Sequence, residues 1–326
     1  MSQGHTTTPR ALPGMAVAAV TAVVSGVSVF VNSQGVHAIS PPAVYTTAKN
    51  LVATLVLGAV AAVALRRRGR GGAVLHRWVA PPSGPWPARP ADRGRHGIMW
   101  WLGLAYVGIV GGGVAFILFF DGLADTTATP AAFLHDGLVV WVAIAAVPLL
   151  RERLRAGNVV VIVLLMGGQV AVLGGVGHLA ASRGETLVLV ATWLWAVEVV
   201  VCKRLLAELA PAAISLARMG TGSIVLLGYL VLSGDMGVLG SLSVTQLGWA
   251  GATGLLLAAY VGTWMTALAR ARAVDVTSVL VGSTVITGIL SAMAGTSPVG
   301  PAIAGFVLIA VGVVLQVAVS TRPAAT

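Results

Sequence analysis

Thr192 to Arg218 reads TWLWAVEVVVCKRLLAELAPAAISLAR, opens the second half of the chain, and is answered in the first half. Ser25-Gly26-Val27-Ser28-Val29-Phe30-Val31-Asn32 stands 170 residues before Trp195-Ala196-Val197-Glu198-Val199-Val200-Val201-Cys202. Pro42, seven residues before Lys49, matches Pro211, seven before Arg218, at an offset of 169. Two matched segments at nearly one offset, each an apolar helix, then a proline, then a lone cation, read as a duplicated unit.

Composition fixes the class in which that duplication sits. Of 326 residues, 57% are hydrophobic and 9% charged, and the mean hydropathy is +0.93. A soluble domain cannot bury that much apolar surface, so the chain is read as an all-α integral membrane protein. Apolar runs of about 20 residues, enough to cross roughly 30 Å of hydrocarbon, number ten. They are Met15–Val31, Ala43–Leu65, Ile98–Phe120, Thr127–Leu150, Asn158–Val176, Thr186–Leu206, Ala212–Leu232, Leu247–Ala267, Val276–Ala294 and Ala302–Val319. The expected organisation is a tail at 1–14, a first five-helix unit at 15–176, a second at 186–319 and a tail at 320–326.

Lysine and arginine in short loops stay on the cytoplasmic side. With both termini cytoplasmic, 17 of the 20 cations fall inside: Arg10, the eight arginines from Arg66 to Arg95, Arg151, Arg153, Arg155, Lys203, Arg204, Arg270, Arg272 and Arg322. Only Arg183 falls outside, and Lys49 and Arg218 lie within spans. An odd number of spans per unit makes the two copies enter the bilayer in opposite orientations, an inverted five-plus-five repeat. A cleavable signal peptide ending near Val36-His37-Ala38 is a rival reading of the N-terminus, but it removes the partner of Thr186–Leu206. Cys202 is the single cysteine, so no intrachain disulfide forms.

The connection from Arg66 to Gly97 is rich in Arg, Gly and Pro and reads as a flexible segment without a core. Its eight arginines and one aspartate suit anionic lipid, at about 1 kcal/mol per cation. Setting it aside lowers the net charge from +10 to +3, so no nucleic-acid partner is expected. Soluble-enzyme signatures are missing. Gly174-Gly175-Val176-Gly177 lacks the Gly-Lys-Ser/Thr of a phosphate loop, no His/Cys cluster has metal-ligand spacing, and no nucleophile elbow occurs, so neither catalysis nor a cofactor is expected. The glycine groups Gly108/Gly111/Gly112/Gly113 and Gly248/Gly251/Gly254 suit close helix packing.

Ionisable residues at membrane depth cost about 2.5 to 3.5 kcal/mol even on lenient insertion scales, and usually face the bundle interior. Glu198 lies about twelve residues into its span, roughly 18 Å deep. It is the candidate for coupling or cation recognition, with Asp136 as a second carboxyl in the same cavity; the plainer alternative is a protonated carboxyl bonded between helices. His135 is a candidate too, although neighbouring helical residues diverge by about 100° and so cannot aim at one spot. Lys49 and Arg218 either serve the substrate, snorkel to an interface, or brace the two copies by ion pairs. Phe119 and Trp264, which the repeat aligns, and Tyr260, with Phe116 and Phe120, are candidates for a pore wall or for packing.

These features together resemble the EamA-type family of the drug/metabolite transporter superfamily. The likeness rests on ten spans as an inverted repeat, small-residue positions in spans one and six (Ser25-Gly26, Trp195-Ala196), cations in spans two and seven (Lys49, Arg218), and Leu150-Arg151-Glu152-Arg153-Leu154 at the end of span four. It covers Met15 to about Ser320. Two positions depart from it: Ala294-Gly295-Thr296 replaces a second Gly-Glu, and an apolar-Pro signature is missing at Val139 and Ser283. The resemblance implies an inner-membrane carrier that exports a small metabolite, amino acid or drug-like compound, driven by protons or exchange, as monomer or homodimer. The rival class is a non-transporting assembly or lipid-intermediate-handling subunit that docks through the basic loop.

Overall fold

The computed structural model describes residues 11–66, 78, 98–126, 128–179, 181–295 and 300–321. Ten helices in it are long and apolar enough to cross a membrane: α1 Pro13–Ala38, α2 Pro42–Arg66, α3 Ile98–Ala124, α4 Pro130–Leu150, α5 Ala156–Leu173, α6 Arg183–Leu205, α7 Pro211–Ser233, α8 Val244–Arg270, α9 Ala273–Met293 and α10 Ile303–Thr321. No strand occurs among the described residues. Each expected span is present, and several run further than hydropathy suggests. α1 continues past Val31 through Asn32, Ser33 and Gln34, because that end of the helix faces a polar cavity rather than lipid.

Local chemistry sets several helix starts. α2 and α7 open on Pro42 and Pro211, whose fixed φ and missing N–H suit the first helical turn. Ser182 with Glu185 and Ser243 with Gln246 form capping boxes on α6 and α8.

The packing is symmetric under exchange of each helix with the one five later. α1 packs on α8 as α6 packs on α3; α1 packs on α9 as α6 packs on α4; α2 packs on α8 as α7 packs on α3. The pairs α2–α7 and α5–α10 map onto themselves. Gln246 Nε2 donates to Ala38 O at 3.0 Å, joining the end of α1 to the start of α8. The symmetry-related pair is also tied at its opposite end, where the exposed Arg183–Asp125 ion pair joins the end of α3 to the start of α6.

Glycine sets the closest approaches. A Cβ at Gly112 would fall within 3.0 Å of Arg218 O, and one at Gly222 would meet the backbone of Gly112, so α3 and α7 touch main chain to main chain. Gly254 brings α8 equally near Lys49 O on α2, at 2.7 Å from the position of an added Cβ. Gly248 and Gly251 have open space beside them and do not share that role. They lie near the start of α8 on a face turned away from its neighbours, and spacing alone does not reveal this.

Three of the ten helices are irregular. α3 contains a π-helical segment at Val107–Val114. α4 breaks at Gly137 between Ala128–Asp136 and Leu138–Leu150, and α9 breaks at Val281 and Gly282 between Ala273–Leu280 and Ser283–Met293. The expectation of a coreless basic loop is corrected at one place. Trp78 is 8% exposed and belongs to the hydrophobic core, with its indole near Gly262 on α8. Apart from Arg66 and Trp78, the residues of that loop, including the arginines up to Arg95, lie outside the described residues.

Candidate functional site

A cavity of about 580 Å³ lies inside the bundle, the size of a small-molecule site. It runs from the middle to the face where α1, α3 and α5 end and α4 and α10 begin, as its lining by Ser33, Leu123, Gly174, Pro130 and Ala302 indicates. The other half of the bundle is sealed by buried Ala146, Leu150, Leu205, Leu206, Met265 and Leu268. That sealed end carries the cations.

A polar latch ties the sealed end together. Glu152 accepts from Ala273 N (2.8 Å) and Val274 N (3.3 Å), capping the start of α9 with negative charge. Burial lifts the Glu152 carboxyl above its ordinary range, against the opposing pull of those two N–H groups and of Lys203. Lys203 donates to Leu268 O (2.5 Å) and Ala271 O (2.6 Å) at the end of α8, where helix carbonyls lack partners. Arg272 pairs with Asp275 and reaches Arg153 O, while Asn158 and Gln316 close on Asp275 from α5 and α10. The Leu150–Leu154 motif therefore works as a cap on α9. At Ala294 and Gly295 the second unit has no acid to repeat it.

All eight candidate residues, Glu198, Asp136, His135, Lys49, Arg218, Phe119, Tyr260 and Trp264, line the cavity. Snorkelling is overturned for both cations. Lys49 is 2% exposed and Arg218 6%, because each bonds inward, to Asn32 Oδ1 and to Glu198. Arg218 pairs with Glu198 through Nε–Oε1 at 2.5 Å and Nη2–Oε2 at 3.1 Å, a bidentate grip between α6 and α7. The pair lies within one unit, so it does not brace the two copies as an ion pair. Arg218 does reach the other copy through the Gly111 carbonyl, which accepts from Arg218 Nη2 (3.2 Å) and from Trp195 Nε1 (3.0 Å). Gly111 belongs to the π-helical segment, a geometry frequent at functional sites, and any Cβ there would collide with the Glu198 carboxylate.

Asp136 has different company. Its Oδ2 accepts from Gln169 Nε2 at 2.5 Å and from Thr284 Oγ1, which itself accepts from Gln169 Nε2 at 2.6 Å. The α4 break falls one residue after Asp136 and the α9 break two residues before Thr284, so two discontinuous helices and α5 meet there. No cation pairs with Asp136 among the described residues. His135 turns the other way, as the helical angle requires, against Phe119 and Trp195 with ring centroids at 5.3 Å from each. Phe116, Phe119, Phe120 and Trp195 continue that aromatic wall. Tyr260 stacks on Trp264 at 6.1 Å across α8.

Sequence reasoning missed Gln169, Thr284, Asn32 and Trp195. The signal for Gln169 was present: a buried amide in an otherwise apolar span is costly for the same reason as a buried acid. Gln316 in α10 carries the same signal.

The model of the EamA-like transporter family matches residues 12–174 and again 182–318, the two units already delineated by packing. The chain belongs to the EamA-like transporter family. This places it among the membrane transporters of the drug/metabolite transporter superfamily. A solved crystal structure superposes on this EamA-like chain with a TM-score of 0.67, covering 96% of it and 99% of its own length at 18% identity, which bears on the fold alone. No curated protein matches the chain.

Proposed function

We propose that the protein is a secondary carrier that exports a small metabolite, amino acid or drug-like compound across the cytoplasmic membrane by alternating access. The observation that carries this is the central cavity, walled by both units, open to one face and closed at the other by the Glu152–Lys203–Arg272 latch. With the cation-rich face cytoplasmic, by the excess of arginine and lysine there, the structure corresponds to an outward-open state. Inward opening requires Glu152 to leave the start of α9 and Lys203 to leave the end of α8. The cavity then becomes accessible from the cytoplasm.

Within the cavity, Glu198 is tied to Arg218 by a bidentate ion pair. Asp136 bears no such restraint. It sits where the interruptions of α4 and α9 meet α5, near the midplane, the depth at which carriers hold substrate and coupling ions. In this reading Asp136 exchanges the coupling proton, and Glu198 holds Arg218 and the π-helical carbonyl in place.

The test is flux of a labelled metabolite panel in inverted vesicles, with and without a pH gradient. Transport of one compound, abolished by Asp136→Asn in net flux but retained in exchange, supports the reading. No flux of any compound by correctly inserted protein favours a non-transporting assembly subunit. Orientation is checked separately with single cysteines at Ser83 and Gly237 in a cysteine-free background: an impermeant reagent outside intact cells should label only Gly237. The reverse pattern would invert every inside and outside assignment.

A further inference from the structure

Duplication gives the cavity two cations at matched positions, and only one of them has a carboxylate. Arg218 is neutralised by Glu198. Lys49 Nζ donates to Asn32 Oδ1 at 2.9 Å, an acceptor it shares with Tyr45 Oη at 2.6 Å, and sits 3.5 Å from the centroid of the Phe120 ring. Among the described residues no acidic oxygen lies within ion-pairing distance of it. A buried ammonium with one amide acceptor and an aromatic face keeps donors unused, and such a charge calls for an anion.

The same wall holds a second unsatisfied polar group. His135 Nδ1 is buried without a hydrogen-bond partner. It is linked to Lys49 through the ring contacts Phe120–Phe119 (5.2 Å) and Phe119–His135 (5.3 Å). Phe116 lies between the two cations, 5.7 Å from Lys49 Nζ and 5.1 Å from Arg218 Cζ.

On the reading of the cavity as a transport site, we infer that Lys49 and Asn32 form its anion-receiving end and that the substrate is a monovalent organic carboxylate with an aromatic or bulky apolar body. One unpaired cation matches one negative charge. A phosphate dianion would leave charge uncompensated beside Asp136 and Glu198. A cationic ligand would meet Lys49 and Arg218, while Asp136 already accepts from Gln169 and Thr284. The rings at Phe116, Phe119, Phe120 and Trp195 give the apolar body its contact surface.

Three probes that share one ring decide the matter: 3-phenylpropionate, phenethylamine and phenylalanine, titrated by calorimetry into the purified full-length protein. The expected order has 3-phenylpropionate binding at least about tenfold tighter than phenethylamine, as a charge-assisted bond implies. Lys49→Met should weaken the carboxylate by at least about tenfold and leave phenethylamine unchanged, while Lys49→Arg should restore most of the affinity. Tightest binding by phenethylamine, binding by phenylalanine alone, unchanged carboxylate affinity in folded Lys49→Met, or binding of no probe each overturns the inference. Should Lys49→Met fail to fold, the three-probe comparison in the unaltered protein decides by itself. Reconstituted flux separates this inference from the transporter reading. Carboxylate that binds but never crosses refutes transport and leaves the anion site standing; amine that crosses while carboxylate does not bind refutes the anion site and leaves transport standing.

Discussion

Replacing Glu198 by Gln removes one half of a buried, bidentate ion pair while preserving side-chain volume. Both partners are nearly inaccessible, 5% and 7% exposed at the side chain, and Arg218 is left with neutral acceptors, the new amide oxygen, the Gly111 carbonyl and the Met219 sulfur, and no counter-charge. Stranding a buried cation in this way costs about 3–5 kcal/mol. For a chain of this size that corresponds to a fall of about 5–10 °C in the melting temperature measured in detergent. Arg218→Met should destabilise less, because an orphaned carboxyl can take up a proton and a guanidinium cannot release one. The double variant Glu198→Gln/Arg218→Met should then be more stable than the sum of the singles by about 2–3 kcal/mol, the upper range for contacting pairs. Thermal unfolding monitored by tryptophan fluorescence on all four proteins supplies the cycle. Additive singles, or a Glu198→Gln variant that melts with the parent, would refute the assignment of Glu198 as the structural partner of Arg218. A flattened pH profile of transport in folded Glu198→Gln would refute it independently and return the coupling role to Glu198.

Gly112→Ala should prevent accumulation of folded protein, since the new methyl meets Arg218 O and Gly222 Cα, both backbone; Gly228→Ala, with nothing within 4 Å, should accumulate normally, and monodispersity in detergent distinguishes them. Latch strength should depend on cytoplasmic pH. The Glu152 carboxyl lies above its ordinary range in the latched state, so that state binds the proton more tightly than one in which Glu152 is solvated. Acidification should therefore favour the latched form, with the effect developing as pH falls through the raised value and levelling off below the ordinary glutamate range. Cysteine accessibility at Thr287 across a pH series reports the population, and Glu152→Gln should abolish the pH dependence.

Ten spans, their two units and the matched prolines were legible because each rests on a one-dimensional pattern: apolar run length, repeat offset, cation position. The same holds for the cavity-lining acids, since a charge inside an apolar run is visible without coordinates. Partnership was not legible. Whether Arg218 faces Glu198, a lipid phosphate or the opposite unit depends on helix rotation, which the all-round apolar sequences of α6 and α7 do not encode. The π-helical segment was hidden for a related reason: Val107–Val114 looks like any small-residue stripe, and only packing against Glu198 and α7 shows why three glycines stand together. Trp78 was hidden by its neighbours, whose Arg-Gly-Pro character outweighs one aromatic residue in any compositional window.

The glycine contacts described for the fold join helices that come from different copies. α3 of the first unit is locked to α7 of the second through Gly112, Arg218 O and Gly222, and α8 of the second is locked to α2 of the first through Gly254 and Lys49 O. A locked pair moves as one piece, because sliding by a fraction of a side chain would drive main chain into main chain. The block that was copied and the block that is held together are therefore different objects. Each five-helix copy is held to its twin at both of these contacts. Splitting the gene between the copies should yield two fragments that function only when made together, each supplying one side of both glycine contacts.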